Sequence, residues 1–460
     1  MKIAIFVHCF YPDHIYGTEA YTLLVAKELQ AAGHEPVVVS AVFAGEKPQK
    51  TFIDRYVWEG VPVISIDKNV RPHANLRETY DQPDMRVVHE RILRLIEPDV
   101  VYVTHLVNHS AALLEVAGAM GIPTFGTLTD FFGFCLTNKL QDANDRLCAG
   151  PNASRSNCMA CYIRSSAEQP GASDRLRLSN RPSTRPFAAR AMAFRARRPT
   201  PERQRHAFDP NDVVARPDVL REHYKTYQGL IAPSSFLYKA YQRNGVPAPL
   251  TLSHFGIEID RSPKPVAPKS GPLRIAFIGQ IAPHKGVHLL IQAFNALPPG
   301  SASLEIWGPE DQDLAYMAEL RRLAGDHQVA FKGTFKAAAT AKILSKVDVM
   351  VVPSTWYENS PLILLQALAT HTPVIVSDVE GMTEFVQNGE NGFHFKRGDA
   401  DDLAVQLQRF VDDETLARAM SARTRYDRTP ADMVRDILNM IEQGLAQASP
   451  VKPSLEEQTK

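Results

Sequence analysis

The sequence predicts an α/β protein built from two doubly wound, Rossmann-like domains that face each other across a cleft. The chain has 460 residues, which is too long for one ordinary hydrophobic core and suits two domains of about 200 residues each. Short β-rich runs alternate with amphipathic helical runs from the first residues onward. This alternation stops at 263–271, where Pro, Lys and Ser dominate as in a linker, and then restarts.

Each half of the chain contributes its own series of elements. In the first half the pattern predicts strands at Lys2–Val7, Pro36–Ser40, Val100–Thr104, Thr124–Leu128 and Gly229–Pro233, and helices at Glu19–Ala32 and Ala111–Met120. In the second half it predicts strands at Arg274–Gly279, Leu304–Gly308, Val329–Gly333, Val347–Val352 and Pro373–Val376, and a helix at Val287–Ala296. We therefore expect domains at 1–262 and 263–428, with an insertion at 131–228 in the first.

The C-terminal end predicts one more helix and a tail. Thr429 and Pro430 begin a helix at 429–447 that is expected to pack back toward the first domain. Its apolar residues at helical spacing are Val434, Ile437, Leu438, Ile441 and Leu445. The tail at 448–460 is rich in Pro, Ser and charge, and is predicted to be flexible.

Composition limits the functional classes. The formal net charge is zero and 44% of the residues are hydrophobic, as in a globular protein with no overall attraction to nucleic acid. The N-terminal run MKIAIFVHCF is interpreted as a first strand and not as a signal peptide. No window has the ~20 apolar residues of a membrane-spanning helix. These features predict a cytoplasmic protein, with any membrane association being peripheral.

An Arg-rich segment, 164–205, lies in the insertion. Within it Ala188–Arg198 is predicted to form a basic helix with Phe187, Met192 and Phe194 as apolar anchors. Such a helix can lie on an anionic membrane surface or contact a lipid-phosphate acceptor. A solvated insertion without a specific target is the equally weighted alternative. RNA binding is less favoured, because no recognisable nucleic-acid module accompanies the charge.

Four cysteines of the insertion follow the spacing C-x12-C-x9-C-x2-C. They are Cys135, Cys148, Cys158 and Cys161. In a reducing cytoplasm four thiolates suit a tetrahedral, structural zinc ion, with an iron–sulfur cluster or two disulfides as alternatives. Since the insertion begins just past Asp130, we expect it to overhang the cleft. Cys9, at the end of the first strand, is interpreted as a buried core thiol.

The segment 347–395 carries the clearest functional signal. Its strand is followed by a turn and by a helix predicted to run from Ser360 as N-cap, with Pro361 in the first turn, to about Ala369. Such a helix start offers unpaired N–H groups to an anion. Glu358 comes just before it, where a carboxylate can reach sugar hydroxyls beside a bound phosphate. An ordinary strand–loop–helix unit is the alternative.

This segment resembles the nucleotide-sugar site of the GT-B-fold retaining glycosyltransferases of family 4, the glycosyl transferases group 1. That family carries two Glu residues with seven residues between them. Glu358 matches the first, whereas Gln366 holds the place of the second. The resemblance extends from residue 1 to about 445. It implies a GT-B fold and the transfer of a hexosyl group, with retention, from a nucleotide-diphosphate sugar to a hydroxyl acceptor in polysaccharide or glycolipid assembly.

The resemblance also implies which residues bind the donor. Lys285 falls on the family Lys that contacts the diphosphate, and Gln280 stands where an Arg is commonest. Gln366 is expected to hold the ribose through a hydrogen bond without charge assistance. The 332–336 turn is similar to the family loop that holds the nucleobase. The predicted donor-binding residues are Gly17, Gly279, Gln280, Lys285, Lys332, Gly333, Phe335, Glu358, Asn359, Ser360, Pro361, Leu362 and Gln366.

On the acceptor side the resemblance implies that Gly17 faces the donor phosphates across the cleft. His105 and Asp130 end two predicted strands, where α/β sheets carry functional residues. Thr129 replaces a His that the family often has before this Asp. Structural roles for His105 and Asp130 are the alternative.

The predicted catalytic residues are Glu358, Lys285, Asp130 and His105. No catalytic metal is expected, because a Lys and a helix dipole replace it. The predicted partners are a nucleotide-sugar donor and a glycan, lipid-linked or other hydroxyl acceptor, with no nucleic acid. Closure at the linker is expected to exclude water.

Two rival functions remain. Gln280, Thr129 and Gln366 depart from the family pattern together, which motivates a non-catalytic, nucleotide-binding scaffold of a polysaccharide-assembly complex. A sugar-nucleotide epimerase of the same fold is less favoured, because the acceptor-side insertion would then have no purpose.

Overall fold

The computed structural model describes residues 1–169, 172–196, 209–262 and 271–448, and these form two α/β domains. Most of the predicted linker, part of the Arg-rich segment and nearly all of the predicted tail lie outside these residues. Each domain has a single sheet. This confirms the fold class that the sequence predicts.

The N-terminal domain is built on an eight-stranded sheet in the order β3-β4-β2-β1-β5-β6-β7-β8. Its strands are β1 Lys2–Phe6, β2 Glu35–Val42, β3 Ile53–Trp58, β4 Val61–Asp67, β5 Val100–Val103, β6 Thr124–Thr127, β7 Tyr227–Ala232 and β8 Leu250–Leu252. All neighbours pair in parallel except β3 and β4, which are antiparallel. The central strand β1 is buried on both faces, as its unbroken apolar run from Ile3 to Phe6 requires.

The C-terminal domain has a six-stranded, fully parallel sheet in the order β11-β10-β9-β12-β13-β14. Its strands are β9 Leu273–Ile278, β10 Ala302–Trp307, β11 Val329–Phe331, β12 Val349–Val352, β13 Val374–Ser377 and β14 Gly392–Phe395. Strand order reverses between β9 and β12, and ligands of such sheets bind at the carboxyl ends of strands near this reversal. The functional residues predicted in this domain follow β9, β11 and β12.

Helices cover both sheets. They are α1 Gly17–Ala31, α2 Met85–Ile96, α3 Ala112–Ala119, α4 Ser156–Ala167, α5 Asp174–Ser179, α6 Arg185–Arg195, α7 Pro210–His223, α8 Ser235–Arg243, α9 Val287–Asn295, α10 Leu314–Ala324, α11 Thr340–Leu344, α12 Leu362–Ala369, α13 Ala400–Asp412, α14 Leu416–Ser421 and α15 Pro430–Ala448. Most predicted bounds agree to within two residues. The predicted start of α12 is wrong, because Ser360 has a φ of +61° and lies outside the helix.

The insertion between β6 and β7 forms a subdomain with a small core of its own. Helices α4, α6 and α7 pack around Met159, Ile163 and Val213. The predicted basic helix corresponds to α6, which begins and ends three residues earlier than expected. In the part of the chain that the structure describes, no helix combines the length and apolarity needed to cross a lipid bilayer.

The chain crosses between the domains at two neighbouring places. The first lies after Phe255 and the second precedes α15, which returns to pack on the N-terminal sheet. The two crossings are bonded side by side, since Ile257 N donates to Arg428 O at 3.0 Å. Arg261 adds a bond from its Nε to Tyr426 O at 3.3 Å. Gly256 is required here, because an added Cβ would lie 2.1 Å from Thr429 O.

Candidate active site

Two predicted catalytic residues meet at the carboxyl end of the C-terminal sheet. Lys285, at the end of a 3₁₀ turn after β9, places its Nζ 2.6 Å from Oε1 of Glu358, which lies in the loop after β12. Oε1 also accepts hydrogen bonds from Ser354 Oγ at 2.5 Å and from Trp356 Nε1 at 3.0 Å. Glu358 is thus a buried carboxylate held by three donors.

The charge of Glu358 is stabilised by these donors. Burial by itself would raise the pKa of the Glu358 carboxyl. The Lys285 ammonium, together with the hydrogen bonds from Lys285, Ser354 and Trp356, outweighs burial and lowers that pKa below its ordinary value. The site therefore contains a buried anion beside a cation that is partly open to the cleft.

Two glycines allow the loops to come this close. Gly286 follows Lys285 with a φ of +71°, and an added Cβ would lie 2.0 Å from Pro353 O. Gly381 has a φ of +88°, and an added Cβ would lie 1.6 Å from Glu358 O. Any other residue at either position would push apart the loops that hold the ion pair.

The indole ring of Trp356 contacts lysine side chains from both domains. Lys285 Nζ lies 5.2 Å from the centroid of its indole ring, and Lys139 Nζ, from the insertion, lies 5.3 Å from it. The His284 ring contacts the same indole at 3.8 Å between centroids. Burial, and then the charges of Lys285 and Lys139, lowers the pKa of His284 to about 4. Lys139 had not been expected at the site, since nothing in its local sequence distinguishes it.

Two residues just before α12 form hydrogen bonds to the N-terminal domain. Asn359 Nδ2 donates to Thr129 O at 3.0 Å, and Ser360 Oγ donates to Pro233 O at 2.9 Å. The Ser360 hydroxyl therefore does not cap the helix, and Pro361 precedes its first residue, Leu362. The start of α12 still points toward the cleft edge of the sheet, because the helix follows β12 in a parallel arrangement.

A chain of amides joins the domains near the predicted diphosphate loop. Gln280 Nε2, after Gly279, donates to Gln312 Oε1 at 2.9 Å, and Gln312 Nε2 donates to the Tyr16 hydroxyl at 2.6 Å. Tyr16 directly precedes Gly17, the first residue of α1. An added Cβ at Gly17 would meet nothing within 4 Å, so there is open space beside this helix start.

The other predicted donor residues lie in two places. Gln366 is half-buried on α12, and among the described residues its side chain has no hydrogen-bond partner. Lys332 and Phe335 both surround Trp307, at the end of β10. Lys332 Nζ is 5.5 Å from its ring centroid, and the Phe335 ring packs edge-on at 5.3 Å. Gly333 accepts a backbone bond from Gly308 N at 2.9 Å.

His105 and Asp130, which end neighbouring strands, form a pair in the N-terminal domain. The distance from His105 Nε2 to Asp130 Oδ2 is 3.0 Å. Because Val107 N donates to His105 Nδ1 at 3.1 Å, the ring proton lies on Nε2 and points at the carboxylate. Asp130 Oδ1 also accepts from Phe132 N at 2.8 Å. Asp130 thus combines a turn-capping role with partial exposure to the cleft.

The four cysteines of the insertion line one small pocket, and none of them is in a disulfide. Two N–H groups point at Cys148 Sγ, from Gly150 at 3.4 Å and from the Asn157 side chain at 3.6 Å. The four sulfur atoms are more widely spaced than the ligand atoms of His8, Cys9 and Glu19, which lie within 4.8 Å of one another. Cys9 is buried, as predicted, and donates to Glu19 at 3.1 Å.

Comparison with protein families matches both domains. A model described as "Glycosyl transferase 4-like domain" matches residues 16–191, and one described as "Glycosyl transferases group 1" matches residues 258–427. Two Rossmann-like domains that face each other across a cleft define the class of GT-B proteins. Within that class, the chain belongs to the glycosyl transferases of group 1 and is similar to family 4.

Individual relatives match parts of the chain. A glycogen synthase from Mycobacterium tuberculosis is 31% identical over 184 residues, which are 39% of this chain and 44% of that protein. The lipopolysaccharide core biosynthesis glycosyltransferase LpsE from Rhizobium meliloti is 30% identical over 172 residues, covering 36% and 47%. The matches thus span less than half the length of these relatives.

Solved structures match over nearly the whole chain. The sucrose-phosphate synthase from Thermosynechococcus elongatus superposes with a TM-score of 0.63 at 17% identity, covering 97% of this chain and 100% of that one. Anabaena HepE, in complex with UDP and glucose, has a TM-score of 0.61 at 15% identity and the same coverage. At such identities these structures share the fold with this chain.

Proposed function

We propose that the protein is a retaining glycosyltransferase that moves a hexosyl group from a nucleotide-diphosphate sugar to a hydroxyl acceptor, in polysaccharide or glycolipid assembly. The observation that carries this proposal is the Lys285–Glu358 pair at 2.6 Å beside the start of α12. Both lie at the carboxyl edge of a parallel sheet, where such folds bind nucleotides. HepE, a structural neighbour, was solved with UDP and glucose, which favours a donor of this kind.

In this proposal the cation and the helix start stabilise the leaving group. When the bond between the anomeric carbon and the diphosphate oxygen breaks, negative charge grows on that oxygen. The Lys285 ammonium and the free N–H groups at the start of α12 then gain interaction energy, without a catalytic metal. The acceptor hydroxyl loses its proton to the departing phosphate and bonds to the anomeric carbon on the same face, which gives retention.

Other groups have supporting roles in the proposal. Glu358 orients Lys285 and lies near the donor sugar, while Gln366 accepts from ribose hydroxyls. His105 directs Asp130 toward the acceptor hydroxyl. Contacts such as Asn359 Nδ2 to Thr129 O, at 3.0 Å, favour a domain closure that excludes water from the bound donor.

In this proposal the acceptor is presented at a membrane, and α6 supports this. Phe187 and Phe194 are each 73% exposed, and their spacing of seven residues puts them on one helix face. We propose that this face, with its arginines, contacts an anionic lipid surface. Met192, predicted as a third anchor, packs instead against the subdomain core.

Cosedimentation with vesicles containing phosphatidylglycerol tests the proposed membrane contact. The experiment compares F187S/F194S with the unchanged protein, and equal binding of the two proteins would refute the contact.

We also propose a structural zinc site at Cys135, Cys148, Cys158 and Cys161. Four thiols around one pocket match the ligand set of structural zinc, and N–H groups directed at Cys148 Sγ are suited to a thiolate. Binding would draw the four sulfur atoms together and fix the loop that carries Lys139. The site would thus support the donor cleft without taking part in the chemistry.

Metal analysis of the purified protein tests the zinc site. Zinc in proportion to protein is expected for the unchanged protein and for Cys9→Ser, whose thiol is elsewhere. Cys148→Ser and Cys161→Ser should lose it and unfold at a lower temperature. A visible absorbance together with iron and sulfide in the purified protein would assign the site to an iron–sulfur cluster instead of zinc. If the protein purified under reducing conditions contains neither zinc nor iron, the proposed metal site is refuted.

Turnover of nucleotide sugars tests the enzyme proposal. A screen of uridine, guanosine and adenosine diphosphates by thermal shift identifies the base. Release of the nucleotide diphosphate from the matching sugar donor should then fall by about 100- to 1,000-fold in Lys285→Ala. Nucleotide binding without any turnover would favour the non-catalytic scaffold, which the Gln280, Thr129 and Gln366 departures motivate. A free epimerised nucleotide sugar as product would favour the epimerase.

A further inference from the structure

A second cavity, of about 370 Å³, opens at the carboxyl edge of the N-terminal sheet. It lies between the ends of β2, β4 and β5 and the insertion. Its lining includes Phe43, Lys68, Val107, Phe132, Leu136 and Arg216. Its volume is within the range of small-molecule sites. The lining thus combines apolar walls with two cations.

Arg216, on α7, is a buried cation without an acidic partner. Its side chain is 3% exposed, and no carboxylate of the described residues forms an ion pair with it. Nη2 donates to Phe132 O at 2.8 Å, while Nη1 is buried and lacks any hydrogen-bond partner among the described residues. The guanidinium lies 4.9 Å from the centroid of the Phe132 ring. Burying a charged donor without a partner is unfavourable, unless a ligand supplies one.

Lys68, after β4, contributes a second buried cation. It is 1% exposed, and among the described residues its Nζ donates to the neutral amide of Gln82 and forms no ion pair. Burial lowers the pKa of Lys68 to about 8, with the nearby Glu78 opposing this effect. His73 also lines the cavity, with a buried Nε2 that has no partner among the described residues. Three potential donors therefore belong to residues that line one space.

The cavity adjoins the pair that faces the acceptor. Phe132, in its wall, is two residues from Asp130, and the Phe132 ring lies 6.3 Å from the ring of His105. Val107, which also lines the cavity, donates its N–H to His105. A molecule whose anionic group fills the cavity can thus extend a hydroxyl toward Asp130.

We propose that this cavity binds an anionic group, a phosphate or a carboxylate, of the acceptor. The inference rests on the proposed function, because it assigns the acceptor class of the same enzyme. Arg216 would use its free Nη1 in a charge-assisted bond, and Lys68 would supply a point charge. Phe43, Val107 and Leu136 would exclude water and strengthen both interactions. A neutral acceptor would leave the two cations without an ion-pair partner among the described residues.

Isothermal titration and thermal shift at constant ionic strength test the proposal. The probes are inorganic phosphate, glucose 6-phosphate, glucuronate, farnesyl phosphate in detergent, and neutral glucose. The variants are Lys68→Met and the milder Arg216→Lys, which keeps the charge. Matched controls are Lys47→Met, in an exposed loop, and Arg221→Gln, one and a half turns further along α7 and outside the cavity. Binding of the nucleoside diphosphate that the screen identifies reports separately that each variant is folded.

We expect at least one anionic probe to bind the unchanged protein and both controls, and to bind roughly tenfold more weakly to Lys68→Met and Arg216→Lys. A preference for glucose 6-phosphate supports a soluble acceptor, and a preference for farnesyl phosphate supports a lipid-linked one. Equal affinity in variants and controls would overturn the proposal, as would binding of no anion. If the nucleoside diphosphate identified by the screen still binds in that case, only the acceptor inference fails. Failure of uridine, guanosine and adenosine diphosphates alike to bind the unchanged protein contradicts the proposed function.

Discussion

Lys285 and Glu358 are paired at 2.6 Å, so the cation assigned to the donor diphosphate already neutralises a buried carboxylate. A bound diphosphate would share this cation with Glu358. In the proposed function the pair would hold the ammonium in place before the donor arrives, which would lower the cost of organising it at the transition state.

Replacing Lys285 by Ala should remove the main charge that stabilises the leaving diphosphate. We expect turnover to fall by about 100- to 1,000-fold, because one preorganised electrostatic donor typically contributes that much. The measurement is release of the nucleotide diphosphate under saturating donor. Lys346→Ala, an exposed lysine at the far end of β12, is the control and should retain full turnover. A Lys285→Ala protein that folds and turns over normally would contradict the assignment.

Glu358→Gln should make stability less dependent on pH. The folded pKa of Glu358 lies below its ordinary value of 4.5, so its charge stabilises the fold above that pH, and this contribution is lost as the pH falls through the folded pKa. We expect the unchanged protein to be the more stable one at pH 7. The difference in the free energy of unfolding, from urea titrations between pH 3 and pH 7, should shrink below about pH 4.5. A difference that is constant over this range would contradict the lowered pKa.

Gly381→Ala should disturb the site more than the strain of its backbone explains. An added Cβ would strike Glu358 O at 1.6 Å, whereas at Gly389, with a similar φ of +85°, it would meet nothing within 4 Å. Gly389→Ala should therefore lose only about 1–2 kcal/mol of unfolding free energy. Gly381→Ala should lose a further ~1–3 kcal/mol from steric overlap. It should also bind UDP more weakly, and equal behaviour of the two variants would refute the contact.

Gln366→Glu should strengthen nucleotide binding, if residue 366 meets the ribose. A carboxylate accepts a charge-assisted bond that is roughly twice as strong as that of an amide. We expect a higher affinity for UDP but an unchanged affinity for 2′,3′-dideoxyuridine diphosphate, which lacks the hydroxyls. Calorimetry of both ligands measures this, and an equal gain for both would assign the effect to general electrostatics.

The sequence predicted most strands of both sheets but not β3, β4, β8 and β14, and it predicted the site in part. Strands such as β1 and β12 followed from buried apolar runs, which depend on local residues alone. The N-cap role of Ser360 was wrong, because its hydroxyl bonds to Pro233 in the other domain, a partner that local pattern cannot reveal. Lys139 and Arg216 were missed for the same reason. Each reaches its place through contacts made by the folded insertion.

The side-by-side crossings at Ile257 and Arg428 determine how the cleft can open. Two bodies joined at a single point can tilt and swivel in any direction, whereas bodies joined at two adjacent, bonded segments share one short axis. We expect rotation about that axis to move Lys285 and Asp130 apart along an arc and to return them to the same register. In the proposed function, the covalent path of the chain would thus realign the donor-side and acceptor-side groups in every cycle.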